Sequence, residues 1–528
     1  ILGGGITGAG VARDAAMRGL SVLLVDSDDF ASGTSHLTSK LVHGGLRYLE
    51  HGHIRPVVEG IVERYRLLDR MAPNLVHPLK FVMPFEGHRF PKWAVTLCGL
   101  QLYGLPEWYR CGRLSDPMLG VKLQRDYPTM RAHPFAVTFW DAQTNDARLV
   151  MATLRTAEAE GATLANYTLV TAARLEGRTW TVRLRSKRHQ QEWAVRARTI
   201  VNATGPWLPV AAELLGIEPM SLIWIKGSHI LLRRFERFGE DAIVIRSIRD
   251  HRPLWIIPWY NRLIVGSTEL RYTGDLRNVR PTVEEVDDLF ESFVHFFPTA
   301  GITRSDIRCA YAGVRPITPQ STRSENSLSR EHRIDVDPQR RLVTIMGGKL
   351  TTFRCMAEQA INEVDRLLDR PPPMAELRRR LRGALLWPGL TPAESKKLRL
   401  DLARVFNGRE GQPDVTEHLV RHYGRDASLI LKEVDRRPHL GEPLFPGLPY
   451  CLAELSYLCR TEKVYHLIDL VKRRTPLYFL VDNCGFESLP KVVEHIAPIS
   501  GWDARRRTEE LSGVAEELRA DMRAYRRS

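Results

Sequence analysis

The run Gly3-Gly4-Gly5-Ile6-Thr7-Gly8 follows the apolar pair Ile1-Leu2 and opens a helical stretch, and the next strand, Ser21-Val22-Leu23-Leu24-Val25, ends in Asp26. This is the pattern of a βαβ unit that binds a dinucleotide. Gly3 permits the tight turn, Gly5 lets the backbone approach a pyrophosphate, Gly8 lets helix pack on strand, and the helix N-terminus faces the phosphate charge. Asp26 is placed to accept from the ribose hydroxyls. A glycine cluster alone is weak evidence, because glycines also build ordinary turns. Here three requirements agree: the apolar pair, the small residues Ala9, Ala12, Ala15 and Ala16 along the helix, and the acid closing an apolar strand. The ligand expected is FAD or NAD.

At 528 residues the chain is too long for one compact core and is expected to form two or three domains. With 43% hydrophobic and 26% charged residues it has the composition of a globular enzyme. The seven cysteines are scattered and never form a C-x-x-C pair, so neither a disulfide framework nor a metal site is expected, and a reducing compartment is. The chain opens inside its first strand without Met, so further residues are expected to precede it. No run reaches the ~18 to 20 apolar residues needed to span a bilayer. The formal charge of +14 admits anionic lipid, nucleic acid or an anionic substrate. Clusters such as Arg378-Arg379-Arg380 and Arg505-Arg506-Arg507 read as solvated helix faces.

Pro371-Pro372-Pro373 cannot continue a helix and marks a boundary. Beyond it helical periodicity dominates: Val464, Leu467, Ile468 and Val471, then Leu511, Val514, Ala515, Leu518 and Met522, fall at single-face spacing. Before it, Thr199–Trp207 and Leu342–Thr352 read as returns to the nucleotide-binding sheet. Trp255–Pro258 and Leu263–Gly266 read as strands of a second sheet.

A polar loop, Ser32–Glu50, follows the second strand. Its hydroxyls, Ser35 and Ser39 among them, and Lys40 can donate to a polar cofactor, and His43-Gly44-Gly45 allows close backbone approach to a flat ring. A lone histidine is more often structural, but one before a glycine pair in such a loop suits proton transfer at neutral pH.

Several blocks now stand in one order: Gly3–Gly8, Lys40–Glu50, Ala203-Thr204-Gly205-Pro206-Trp207, Lys226-Gly227-Ser228-His229, Gly313-Val314-Arg315-Pro316 and Gly347-Gly348-Lys349-Leu350-Thr351-Thr352. Across roughly the first 370 residues the chain closely resembles the FAD-dependent glycerol-3-phosphate dehydrogenases, and the tail resembles their C-terminal domain more loosely. The resemblance implies an α/β fold: a glutathione-reductase-like, Rossmann-type FAD-binding domain, an inserted antiparallel-sheet substrate domain and an all-helical C-terminal domain. FAD-binding segments are expected at about 1–85, 140–220 and 310–370, substrate segments at about 86–139 and 221–309, and the helical domain at 371–528. It also implies oxidation of sn-glycerol 3-phosphate to dihydroxyacetone phosphate, with electrons passed to quinone, at the cytoplasmic side of the inner membrane or in the cytoplasm, and is compatible with a homodimer.

FAD contacts are expected from Gly3, Gly5, Gly8, Asp26, Ser35, Ser39, Lys40, His43, Gly44, Gly45, Thr204, Gly205, Gly348, Lys349, Leu350 and Thr351. A dianionic phosphate needs fixed cations, preferably guanidinium forks, and Arg47, Arg315 and Lys349 lie in the quoted blocks. Any one of them alone reads equally as a structural ion pair. Tyr48 is a candidate substrate ligand or a core aromatic. His43 and His229 are both candidates for the base that removes the C2 hydroxyl proton, and the sequence does not choose between them. Arg315 is expected to stabilise charge on the C2 oxygen, and Lys349 to lie near flavin N1.

The chain departs from the family pattern at Asp26, where Glu is usual, at Thr7, where Asn is common, and at Gly266-Ser267-Thr268-Glu269, where Gly-Thr-Thr-Asp is frequent. The last change is expected to alter local substrate-domain contacts and leave the phosphate pocket untouched. Residues 89–110, with basic ends and interfacial Trp and Tyr, read either as a helix lying on a membrane surface or as an internal helix. An oxygen-using oxidase is the close rival activity. An RNA-binding flavoprotein is disfavoured because the basic residues are spread and no RNA-binding signature appears, and a non-catalytic FAD scaffold because the phosphate cations are retained.

Overall fold

The computed structural model describes residues 1–45, 54–85, 96–101, 103–104, 115–218, 220–235, 237–319, 332–387, 389–406, 414–482 and 487–526. Leu2 bridges in parallel to both Val25 and Asn202. Leu23–Val25 pairs in parallel with Thr163–Ala165, and Ile200–Asn202 with Leu342–Met346. These segments form the parallel sheet of the nucleotide-binding half, edged by the antiparallel strand Arg333–Asp337. The helix Ile6–Met17 packs between Asp146–Ala159 and Phe353–Leu367. Its alanines are buried because both neighbours approach closely. Gly8 shows how closely: a Cβ there would lie 1.9 Å from the Gly3 carbonyl oxygen. On the other face, the sheet Thr168–Glu176, Thr179–Ser186, Glu192–Ala197 inserts Trp180, Val182 and Leu184 against Leu2, Val25 and Ile200.

The second sheet has ten strands and is antiparallel apart from one pair, Ala242–Arg246 beside Val76–Phe85. Its long central strands are Val76–Phe85, Phe135–Thr144, Ile223–Arg233 and Ile307–Ile317. The boundaries expected near 139 and 309 therefore cut through Phe135–Thr144 and Ile307–Ile317. Each expected boundary thus falls inside an unbroken strand, where no linker intervenes.

The C-terminal region carries the helices Ala375–Gly383, Pro392–Phe406, Val415–Tyr423, Ala427–Arg436, Leu452–Thr461, Leu489–Ser500 and Ala504–Met522. Val514, Ala515 and Leu518 are buried on one face of the last, as their spacing predicts. Two features correct the all-helical expectation. Pro443–Phe445 and Leu448–Cys451 form a hairpin across Pro446-Gly447, with Gly447 at φ +72°. The expected helix from Val464 is only the short turn Leu467–Asp469 continued by a π-type segment, Leu470–Arg474, that stops before Pro476.

Buried ion pairs fasten this region to the nucleotide-binding half. The Asp29 carboxylate accepts from Arg473 Nε at 2.6 Å and from both terminal nitrogens of Arg474 at 2.7 Å. Arg148 Nη1 donates to Glu462 at 2.5 Å, and Tyr167 donates to Asp469 at 2.7 Å. Burial alone would push the Asp29 carboxyl up, but Arg474 and Arg473 outweigh it and hold it well below the usual carboxylate range. Its contribution to stability is therefore complete above about pH 4 and is lost as pH falls towards the folded-state value. Asp29→Ala, which strips buried Arg474 of its hydrogen-bonded carboxylate and leaves Arg473 with Asp469 alone, is expected to cost about 3–5 kcal/mol in unfolding free energy. The double variant Asp29→Ala/Arg474→Leu is expected to lose less than the sum of its single changes, which denaturant unfolding of all three proteins measures.

Candidate active site

A cavity of about 660 Å³ runs along the C-terminal edge of the parallel sheet, from Asp26 past the turn at Gly3 and Gly5 to Lys349. The helix Ile6–Met17 enters it with no side-chain cap and no acid in its first turn. Its Ile6 N–H donates to Ser35 Oγ at 3.0 Å, and Gly5 lies close under that hydroxyl. Asp26 closes the far end, its two oxygens accepting from the Gly4 and Asp28 amides at 2.6 and 2.9 Å. Burial pushes the Asp26 carboxyl up to about 7 against those hydrogen bonds. Thr204 and Gly205 form the opposite wall, with Gly205 at φ +57°. An uncapped helix N-terminus, a carboxylate one strand on and a long cavity between them fit FAD.

A second cavity, of about 170 Å³, is bordered by Ser39, His43, Arg315, Lys349 and Thr351. Thr38, Gly348, Lys349 and Leu350 line both cavities, so the two meet there. His43 is set by the short strand Leu41–Val42, and its amide donates to Thr351 Oγ1 at 3.1 Å. Arg315 comes from Ile307–Ile317, and its guanidinium lies across Gly227, where a Cβ would be 2.9 Å from Nη2. Nη2 donates to Ser267 Oγ at 2.9 Å, and Nη1 lies 3.6 Å from a Glu269 oxygen. The departures at Ser267 and Glu269 thus touch Arg315, a residue expected at the phosphate pocket, so their reach is wider than the local contacts expected of them.

His229 does not border this cavity. It is buried behind Ser39, whose Oγ lies 2.8 Å from its Nε2. Burial, then the Arg315 and Lys40 charges, lowers its pKa well below the ordinary histidine value.

Lys40 and Gly44, both expected to touch FAD, are held by buried partners of the chain itself. Lys40 Nζ is buried, 2.7 Å from Asp146 and 2.5 Å from the His36 carbonyl, among the rings of Trp259, Tyr311 and Phe479. The buried Gly44 amide donates to Tyr103 and Asp141, and its missing side chain makes room for the Tyr103 ring. Gly45 is buried beside it at φ +84°. Arg47 and Tyr48 lie outside the described residues, as do most of 89–110. In the part of 89–110 that is described, Leu100 and Tyr103 are buried.

Sequence reasoning missed Thr34 and Thr38 as individual wall residues, although it marked their loop for its hydroxyls. It also missed the support beneath Arg315. There Glu285 accepts from Ser228 and Thr268 at 2.8 Å and pairs with Lys226 at 2.7 Å. Only the neighbouring block Lys226–His229 hinted at it.

Residues 1–348 match the FAD dependent oxidoreductase family, and 377–507 match the C-terminal domain of alpha-glycerophosphate oxidase. The chain is 32% identical over 523 residues to a glycerol-3-phosphate dehydrogenase of Synechocystis, covering 95% of this chain and 92% of that one. It is 33% identical over 492 residues to a D-erythritol 1-phosphate dehydrogenase of Brucella abortus, covering 90% and 94%. Its fold is similar to that of the glycerol-3-phosphate dehydrogenase from Bacillus halodurans complexed with FAD, with a TM-score of 0.78 at 24% identity over 100% of this chain and 95% of that one. The chain belongs to the FAD-dependent glycerol-3-phosphate dehydrogenase family.

Proposed function

We propose that the protein oxidises sn-glycerol 3-phosphate to dihydroxyacetone phosphate, with FAD as the immediate electron acceptor and quinone as the next. The observation that carries this reading is a small cavity, bordered by Arg315, Lys349 and His43, that joins the long cavity at Gly348–Leu350. Asp26 would hold the adenosine ribose, the N-terminus of Ile6–Met17 with Ser35 the pyrophosphate, and Lys349 with Leu350 the flavin edge. FAD, when bound there, supplies the hydride acceptor that oxidation of an alcohol requires.

The chain's own residues supply the rest. Arg315 and Lys349 bind the anionic substrate, and Arg315 stabilises charge on the C2 oxygen. His43, which borders the cavity, takes the C2 hydroxyl proton. Delivery to a lipid-soluble quinone requires contact with a membrane surface, and no described helix is long and apolar enough to cross one. A four-carbon polyol phosphate is the second reading, favoured by the 33% identity to the D-erythritol 1-phosphate enzyme.

Anaerobic addition of glycerol 3-phosphate is expected to bleach the bound flavin, while glycerol does not. Bleaching by D-erythritol phosphate alone would establish the second reading, and no bleaching by either would refute both. Reoxidation by a quinone analogue without stoichiometric peroxide separates a dehydrogenase from an oxidase.

Arg315→Ala is expected to lower kcat/KM about 10²–10³-fold while FAD stays bound, as steady-state kinetics and flavin absorbance together report. Asp26→Asn is expected to weaken FAD binding about 10- to 100-fold. Because burial raises the Asp26 pKa to about 7, the flavin-free protein loses stability as pH rises from about 4 to 7 and this carboxyl ionises. The Asn variant is expected to flatten that dependence in thermal unfolding.

A further inference from the structure

Ser39 stands between the substrate-side cavity and a buried imidazole. Ser39 borders the cavity with His43, Arg315 and Lys349, and its Oγ is 2.8 Å from His229 Nε2. The His229 ring is 1% exposed, stacks on Tyr311 with centroids 4.8 Å apart, and is roofed by Gly266, where a Cβ would come within 2.3 Å. Its other nitrogen, Nδ1, is buried with no hydrogen-bond partner among the described residues.

A neutral imidazole carries one proton. On Nδ1 that proton would be a buried N–H without an acceptor, which native structures avoid most strongly, whereas a bare lone pair there is better tolerated. The ring proton therefore sits on Nε2 and is donated to Ser39 Oγ. That leaves the serine's own hydrogen for an oxygen inside the cavity. It also leaves His229 with no lone pair facing the substrate. Arg315 and Lys40, the charged groups bearing on this ring, disfavour a second proton.

We propose that Ser39, held by the Nε2 proton of His229, donates a hydrogen bond to a substrate oxygen, and that His229 is a positioning residue that accepts no proton during turnover. This rests on the functional reading above and removes His229 as a candidate for the base.

The test uses the FAD-loaded protein. His229→Gln carries an amide N–H in place of Nε2–H but cannot act as a base. It is expected to lower kcat/KM less than about tenfold and to keep the acid limb of the pH profile. A loss of about 10²–10⁴-fold together with that limb would make His229 the base and overturn the proposal. Ser39→Ala is expected to weaken binding of dihydroxyacetone phosphate, followed by its perturbation of flavin absorbance, about threefold to tenfold. Unchanged affinity would overturn the serine's role.

A substrate-free measurement stands apart from the functional reading. In ¹⁵N-histidine-labelled protein, with His229→Gln identifying the signal, Nε2 is expected to be protonated and Nδ1 bare. A proton on Nδ1 would overturn the proposal. Failure of glycerol 3-phosphate to bleach the wild-type flavin counts against the functional reading, while the nitrogen shifts still decide the arrangement of His229 and Ser39.

Discussion

The arrangement of both cavities depends on a buried ion pair that touches neither ligand position: the Lys40 ammonium against Asp146 at 2.7 Å. Removing two charges from water costs several kcal/mol per ion unless every hydrogen-bonding position is filled. Here Asp146 also accepts from the Thr38 amide at 3.1 Å, the Thr38 hydroxyl at 2.7 Å and the Ala147 amide at 2.8 Å. It does so at the first turn of Asp146–Ala159, where the helix dipole favours a carboxylate. The ammonium lies 5.3 to 5.6 Å from the ring centroids of Trp259, Tyr311 and Phe479, which come from two strands of the large sheet and from the C-terminal domain. One cation thus registers all three parts of the molecule. The loop carrying Ser35, Thr38, Ser39 and His43 hangs from it, and Tyr311 secures that loop again through the Thr38 carbonyl at 2.8 Å.

What was legible in the sequence was local. Gly3, Gly5, Gly8 and Asp26 fall within the first 26 residues, and Gly8 against Gly3 and Asp26 against Gly4 are contacts inside that one unit, so pattern and structure coincide. Lys40 was misread for the opposite reason. Its partner is 106 residues away and nothing near Lys40 announces an acid, so a lysine in a hydroxyl-rich loop looked like a cofactor ligand. Gly44 repeats the lesson. A glycine pair beside a histidine suggested a flat ring overhead, and the ring it accommodates is that of Tyr103 from its own chain.

Two expected domain boundaries fall inside strands for a related reason. Composition marks a boundary where the chain leaves one core for a linker, as is expected at Pro371–Pro373. Phe135–Thr144 and Ile307–Ile317 are unbroken ten- and eleven-residue strands. Most residues along both strands are buried from end to end, so there is no shift in composition to detect. The strand Ile307–Ile317 places Arg315, paired with Ile225, at the cavity while its preceding residues pair on along Ile223–Arg233.

The formal charge of +14 weighs every arginine alike, yet the fold does not. Arg148, Arg354 and Arg474 are buried and paired with Glu462, Glu63 and Asp29, so their charge is neutralised at contact distance and contributes little field at the site. At the substrate cavity the balance is closer. Arg315 lies 3.6 Å from Glu269, so an incoming anion competes with a carboxylate already in place. A neutral polyol has no charge with which to compete for that guanidinium. On the function proposed above, a dianionic phosphate would outweigh a single carboxylate, so a preference for phosphorylated alcohols would follow from a cation held in readiness by an acid of lower charge than the substrate.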